Sequence, residues 1–300
     1  MSQLSITNLQ SPDLYALIIR LVATQNGRLR ATQGHLAHAA FLNILHQVDP
    51  AISAAIHDLH GRKPFTISPL EGFGKPHKGQ IQLKAGQEGW LRVTLLDPVL
   101  FQTFISYFLQ GGHRPTIMLE NMTFHVSEIL STPGSHPLAG YDSLQALYAR
   151  WQTTTEPPHH STTHPPDHQT IQLTFRTPTA FSMRSSPFRY MHILPDPALV
   201  FGQLADYWDT LTGSETRDAV RVFCAEGVVV ARYNIETHMY QYSRSKQVGF
   251  TGCVTYKILD KDAISMIQHL NRLADLAFYT GVGSKTTMGM GQLRRMMNDE

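Results

Sequence analysis

Apolar positions along this chain follow two rhythms. "LYALIIRLVA" (14–23) is almost continuously apolar and predicts a strand, while "PFTISPL" (64–70) and "WLRVTLLD" (90–97) alternate as strands do. "HLAHAAFLNILHQV" (35–48) crowds apolar residues at helical spacing. "DPAISAAIHDLH" (49–60) begins with Asp49 as N-cap and Pro50 at the first helical position, a strong start signal. "PVLFQTFISYFLQ" (98–110) predicts a helix stopped by Gly111-Gly112. "TIMLENMTFHVSEIL" (116–130) reads as one more extended stretch, and "YDSLQALYARW" (141–151) as a helix.

The pattern then lapses. "QTTTEPPHHSTTHPPDHQT" (152–170) is poor in large apolar residues and rich in Pro, Thr and His, so it reads as a loop or linker. Its histidines, His159, His160, His164 and His168, suit metal binding by type, but ordering such a segment costs too much entropy to favour a site. Beyond it the theme returns. "IQLTFRTPTAFSM" (171–183) predicts a strand, and "ALVFGQLADYWDTLTG" (198–213) a helix ended by Gly213. "GVVVARYNIETHMYQYS" (227–243) and "VGFTGCVTYKIL" (248–259) predict paired strands, followed by a helix in "AISMIQHLNRLADLAFYTG" (263–281). Two successive strand–helix–strand–strand–helix orders predict an α+β protein of tandem ferredoxin-like (split βαβ) domains, at 1–151 and 171–300 with 152–170 between them.

Composition narrows the class. The chain has 300 residues, 42% of them hydrophobic, and no apolar run approaches the ~20 residues that cross a bilayer. Its start, "MSQLSITNLQSPD", lacks the basic and apolar regions of a signal peptide, so a cytoplasmic protein off the membrane is expected. Cys224 and Cys253 form neither a disulfide framework nor zinc-ligand spacing. The net charge of +2 is uninformative, but its distribution is not. Acid-free stretches carry Arg20, Arg28 and Arg30; Arg176, Arg184 and Arg189; Arg244, Lys246 and Lys257; and Lys285, Arg294 and Arg295. Such windows predict a basic face suited to a polyanion.

The last helix runs into "GVGSKTTMGMG" (281–291), two Gly-apolar-Gly pairs around a lysine-bearing middle. This is neither a Walker loop nor a dinucleotide fingerprint, because the helix precedes the glycines. The pattern resembles the signature of the CRISPR repeat-processing endoribonucleases, the Cas-six family of repeat-associated RNA-binding proteins. A second match is "IHDLHGRKPFTISPL" (56–70), in which His57 closes a short helix and Lys63 precedes Phe65-Thr66-Ile67-Ser68. The resemblance reaches both halves of the chain.

What the resemblance implies is metal-independent cleavage of CRISPR repeat RNA in precursor transcripts, with no cofactor. The 2′-hydroxyl attacks the adjacent phosphate and leaves a 2′,3′-cyclic phosphate and a 5′-hydroxyl. His57 matches the family's catalytic histidine, at a helix end where the dipole favours the imidazolium. Lys63 matches its supporting base, expected to stabilise charge on the phosphorane. His35 and His38, on the preceding helix, are the candidate partners in proton transfer. Several members carry a catalytic tyrosine on that helix, where this chain has Phe41 and Leu42, so a two-group or two-histidine site has to be considered.

RNA contacts are expected from Arg28, Arg30, Arg184, Arg189, Arg244, Lys246, Lys285, Arg294 and Arg295. The loop glycines Gly281, Gly283, Gly289 and Gly291 are expected to press backbone amides against nucleic acid or the neighbouring domain. A CRISPR effector complex and a second copy of the chain are further expected partners. The alternative is a non-catalytic RNA-binding subunit of an effector complex, which shares fold and loop but needs no His57–Lys63 pair.

Overall fold

A computed structural model describes residues 12–30, 34–74, 77–110, 114–152, 168–241 and 246–296. In the first half, β1 (Leu14–Ala23) and a short β2 (Gly27–Arg30) lead into α1 (Gly34–Val48) and α2 (Pro50–Asp58). Then come β3 (Phe65–Ile67), β4 (Gln80–Leu83), β5 (Glu88–Leu95), α3 (Pro98–Leu109), β6 (Thr116–Leu119), β7 (Met122–Leu130), β8 (Gly140–Asp142) and α4 (Leu144–Arg150). The main sheet runs β3-β5-β1-β7-β6, all antiparallel, and β8 extends along β1. Helices follow the two central strands, β1 and β5, which is the ferredoxin-like arrangement.

β1 explains its own apolar sequence by serving two cores. Leu17, Ile19 and Leu21 pack with residues of α1 and α3, whereas Leu14 and Ala16 join the core of the second half. A strand covered on both faces needs no polar alternation. The helices begin as their caps predict: the Asp49 carboxylate accepts the Ala51 and Ile52 amides, and Asp97 accepts that of Leu100.

The second half repeats the order. It contains β9 (Thr170–Thr179), a hairpin of β10 (Phe181–Ser185) and β11 (Phe188–His192), α5 (Pro197–Thr212), α6 (Arg217–Gly227), β12 (Val228–Gln241), β13 (Lys246–Ile258), α7 (Ile264–Thr280) and β14 (Leu293–Arg295). Its sheet, β12-β13-β9-β14, has the same antiparallel strand order.

Two local expectations need correction. The stretch 116–130 is a hairpin, because Glu120 takes φ 54 and the chain reverses between Leu119 and Met122. The strand expected over 171–183 breaks at Ala180, and its end pairs with β11 instead. Helix α5 ends at Gly213 (φ 73) as expected, and α6, which follows it, is an element the sequence pattern did not predict.

The halves are joined through α7. The last carbonyls of a helix have no partner within it. Here Arg92 of β5 donates from Nη2 to the Phe278 carbonyl (2.7 Å), and Thr94 Oγ1 donates to that of Tyr279 (2.6 Å). Arg92 also donates from Nε to Leu138 O (2.9 Å), and its guanidinium lies 4.4 Å from the Phe278 ring centroid. Only 3% of this residue is exposed. Burial lowers its pKa to about 9, which still leaves it charged at neutral pH. The charge sits at the negative end of the helix dipole.

The glycine loop starts where that contact ends. Gly281, Gly283, Gly289 and Gly291 all have positive φ, between 63 and 92. At Gly291 (φ 72) a Cβ would lie 2.0 Å from the Val282 carbonyl, so no side chain fits. The amides of Val282, Ser284 and Gly291 donate to Gly291 O, Ala180 O and Pro178 O, and that of Gly283 to Gln203 Oε1. These amides therefore face protein acceptors. The loop tip, a 3₁₀ turn at Thr286–Met288, presses on the first half: a Cβ on Gly34 would stand 1.8 Å from Met288 O.

Arg92→Ala is expected to lower the urea-unfolding free energy by about 3 kcal/mol, since it strips buried carbonyls of their donor. A change within about 0.5 kcal/mol, as for an ordinary surface substitution, would show that docking does not depend on this residue.

Candidate active site

His57 lies in the last turn of α2 with 74% of its side chain exposed. Its Nδ1 is 3.1 Å from Asp58 Oδ1, so Nδ1–H points at the carboxylate and Nε2 is left for solvent or substrate. Lys63 stands at the same helix end. Its ammonium donates to the carbonyls of Ile56 (2.5 Å), His57 (2.9 Å) and Leu59 (2.6 Å). An ammonium has three donors, and all are engaged here. The expected charge stabiliser is thus a helix C-cap, and its direct effect is to hold the turn that carries His57.

His38 is the histidine brought beside this turn. It projects from α1, stacks on Phe65 with centroids 5.6 Å apart, and places Nδ1 3.1 Å from the Thr287 carbonyl at the loop tip. A carbonyl only accepts, so Nδ1 carries the hydrogen, and in the neutral ring Nε2 holds the lone pair. Burial lowers the pKa of His38, the positive charges of Lys63 and His57 lower it further, and the Thr287 bond partly opposes them. His35, one turn earlier, has other surroundings. Its pKa is lowered by burial and then by Arg30, with Glu120 opposing, and its buried Nδ1 makes no hydrogen bond among the described residues. Of the two partner candidates, His38 is the one grouped with His57.

The position of the missing tyrosine is core. Phe41 is 2% exposed and stacks on Phe65 at 4.3 Å. A tyrosine that sequence reasoning passed over does reach the region from the second half: Tyr240 is buried, with its hydroxyl near Gly34 and Gly289, and burial pushes its pKa up to about 12.

The expected RNA-contacting residues divide. Arg184 and Arg189 are exposed and sit directly opposite each other on the β10–β11 hairpin, with Phe188 and Tyr190 exposed beside them. Arg28 is exposed on β2, and Arg30 pairs with Glu120 (3.1 Å). Lys246 is exposed at the start of β13, and Arg294 is half-buried on β14. Lys285 is exposed at the head of the loop's 3₁₀ turn, where burial of part of its side chain lowers its pKa. Arg295 needs correction: its guanidinium bonds Asn271 Oδ1 (2.6 Å) and Asp275 Oδ1 (3.4 Å), lies over the Trp151 ring, and is bound into the fold. Arg244 falls outside the described residues, as do His159, His160 and His164.

Two contacts absent from the sequence reading tie the site to the second half. Arg62 Nε pairs with Asp206 Oδ2 of α5 at 2.8 Å, just before Lys63. Gln203, also of α5, holds the Gly283 amide at 2.6 Å. Arg62 carried a signal in its position next to Lys63; the carbonyl of Thr287 carried none, because it is backbone.

Known proteins resemble this chain over both of its halves. The family profile described as CRISPR Cas6 N-terminal domain matches residues 13–149, and the one described as CRISPR-associated endoribonuclease Cas6 matches 173–293. A Streptococcus thermophilus protein of that second name is 27% identical over 126 residues, 41% of this chain and 49% of its own length. A Mycobacterium tuberculosis protein of the same name is 27% identical over 41% of this chain and 38% of its own. The match thus spans about half or less of these curated relatives. Among solved structures, a Cas6 product complex superposes with TM-score 0.76 at 27% identity, over 95% of this chain and 100% of that one. Thermus thermophilus Cas6 gives 0.69 at 27% identity, over 96% and 100%. The profiles fall on both halves, on either side of the His-rich connection, and the chain belongs to the Cas6 family.

Proposed function

We propose that this protein is an endoribonuclease that cuts CRISPR repeat RNA in precursor transcripts, using side chains and no metal ion. The observation that carries the reading is the bond between His38 Nδ1 and the Thr287 carbonyl, which sets one ring nitrogen as a base next to an exposed histidine. Its relatives' names, and the solved product complex, support the same reading.

The chemistry divides between the two imidazoles. Nε2 of neutral His38 takes the proton of the 2′-hydroxyl, whose oxygen attacks the adjacent phosphorus. His57 gives a proton to the departing 5′-oxygen. The P–O5′ bond breaks as the P–O2′ bond forms, and the products are a 2′,3′-cyclic phosphate and a 5′-hydroxyl. Lys63 acts through His57 by holding its turn. Lys285, two residues before Thr287, is the loop cation assigned to the phosphorane in its place. The ferredoxin-like halves, 1–151 and 171–300, hold the RNA between them, with Arg28, Arg184, Arg189 and Lys246 on its backbone. Location in the cytoplasm and delivery of product to an effector complex belong to the same reading.

With repeat RNA from its own genome and EDTA present, the wild type is expected to cut at one position. His57→Ala should slow single-turnover cleavage by about 10²–10⁴-fold while binding RNA as before. Binding without cutting by the wild type would instead favour a non-catalytic RNA-binding subunit.

The rate should also depend on pH through His38. It acts as a base only when neutral, and its pKa lies below the ordinary 6.5. Activity should therefore persist down to about pH 6.5 and fall below it. His38→Gln should be slow and lack that acid limb; an unchanged limb in the variant would remove His38 from the role.

A further inference from the structure

A polar cleft of about 290 Å³ opens in the second half between β10, α5 and α6. Arg62, Arg184, Arg217 and Arg221 line it around a single acid, Asp206. The carboxylate is shared: Arg62 Nε is 2.8 Å from it and Arg217 Nη1 3.6 Å, while Arg217 also pairs with Asp218 at 3.0 Å. Arg184 and Arg221 make no ion pair or hydrogen bond among the described residues. The cleft thus keeps two uncompensated guanidinium groups.

Two features show that this charge is built in. Arg221 rests on Gly202 of α5, where a Cβ would stand 2.3 Å from its Cγ and 2.9 Å from its Cδ. A glycine inside a helix is destabilising relative to alanine, and here it makes the seat across which the Arg221 stem lies. In addition, Arg184 is set directly opposite Arg189 in the hairpin. Like charges in that position repel unless an anion lies between or beside them.

The cleft also leads to the reaction site. Arg62 precedes Lys63, the residue that holds the His57 turn, and the lining residue Gln203 holds the Gly283 amide of the glycine loop. An open, arginine-lined surface of this kind suits a flexible polyanion, whereas sites for small molecules are enclosed and mostly apolar.

We infer that this cleft is a second phosphate-binding subsite, in which Arg184 and Arg221 hold phosphates of the bound RNA strand away from the bond being cut. The RNA identity of the anion rests on the endoribonuclease reading; the position of the subsite does not. Phosphate contacts here position the strand and carry no sequence information.

The test is the salt dependence of binding, measured with a fluorescein-labelled repeat RNA from the source genome. For single-stranded RNA each lost phosphate contact lowers the slope of log K against log salt by about 0.7. The double variant Arg184→Gln/Arg221→Gln should lose about 1.4, so that its deficit against wild type shrinks about sevenfold between 50 and 200 mM salt. Gly202→Ala, which keeps every charge but removes the seat, should lose about 0.7, with folding checked by thermal melting. Lys78→Gln/Lys84→Gln, two exposed lysines of the first half, should lose nothing. An unchanged slope in the arginine pair, or an equal loss in the lysine pair, would overturn the subsite. Because the readout is binding, a protein that fails to cleave still tests it.

Discussion

Helix α7 ends inside the protein, so the carbonyls of its last turn need donors from another element. Arg92 and Thr94 supply them from β5, a central strand of the first half. This contact sets the point at which the glycine loop begins, and therefore where its tip can reach. From that point the loop folds back on β9, and its tip meets α1 at Gly34 and His38. A buried arginine is an expensive way to join two sheets. It is compensated here by two carbonyls, an aromatic face and the negative end of a helix dipole.

The same geometry assigns work that residue types alone do not. Lys63 and His57 adjoin, and a lysine beside a catalytic-type histidine suggests charge stabilisation. In the fold its three donors close the end of α2, so its contribution is the placement of His57. His38, by contrast, gains its orientation from a backbone carbonyl 249 residues away in sequence. The site thus belongs to neither half alone.

Much of the architecture was legible in the chain. β1 announced itself by near-continuous apolarity, α2 by Asp49-Pro50, and the end of α5 by Gly213, because each signal is local. The reversal at Glu120 was hidden, since a glutamate in left-handed conformation has no glycine to mark it. The pairing of Arg184 with Arg189 needed the hairpin register. Arg217 and Arg221, four apart on one helix, were a readable pair that went unread because α6 itself was not foreseen. The halves' common strand order was legible; the contact that docks one on the other was not, because Arg92 in "WLRVTLLD" looks like any solvated residue of an alternating strand.

The claim on which the rest turns is that the loop's carbonyl fixes His38 as a neutral base. Nitrogen-15 NMR of the histidine side chains in the free protein reads this directly, giving both tautomer and titration midpoint. The account predicts hydrogen on Nδ1 of His38 and a midpoint below 6.5. Hydrogen on Nε2, or a midpoint at or above 6.5, would contradict it.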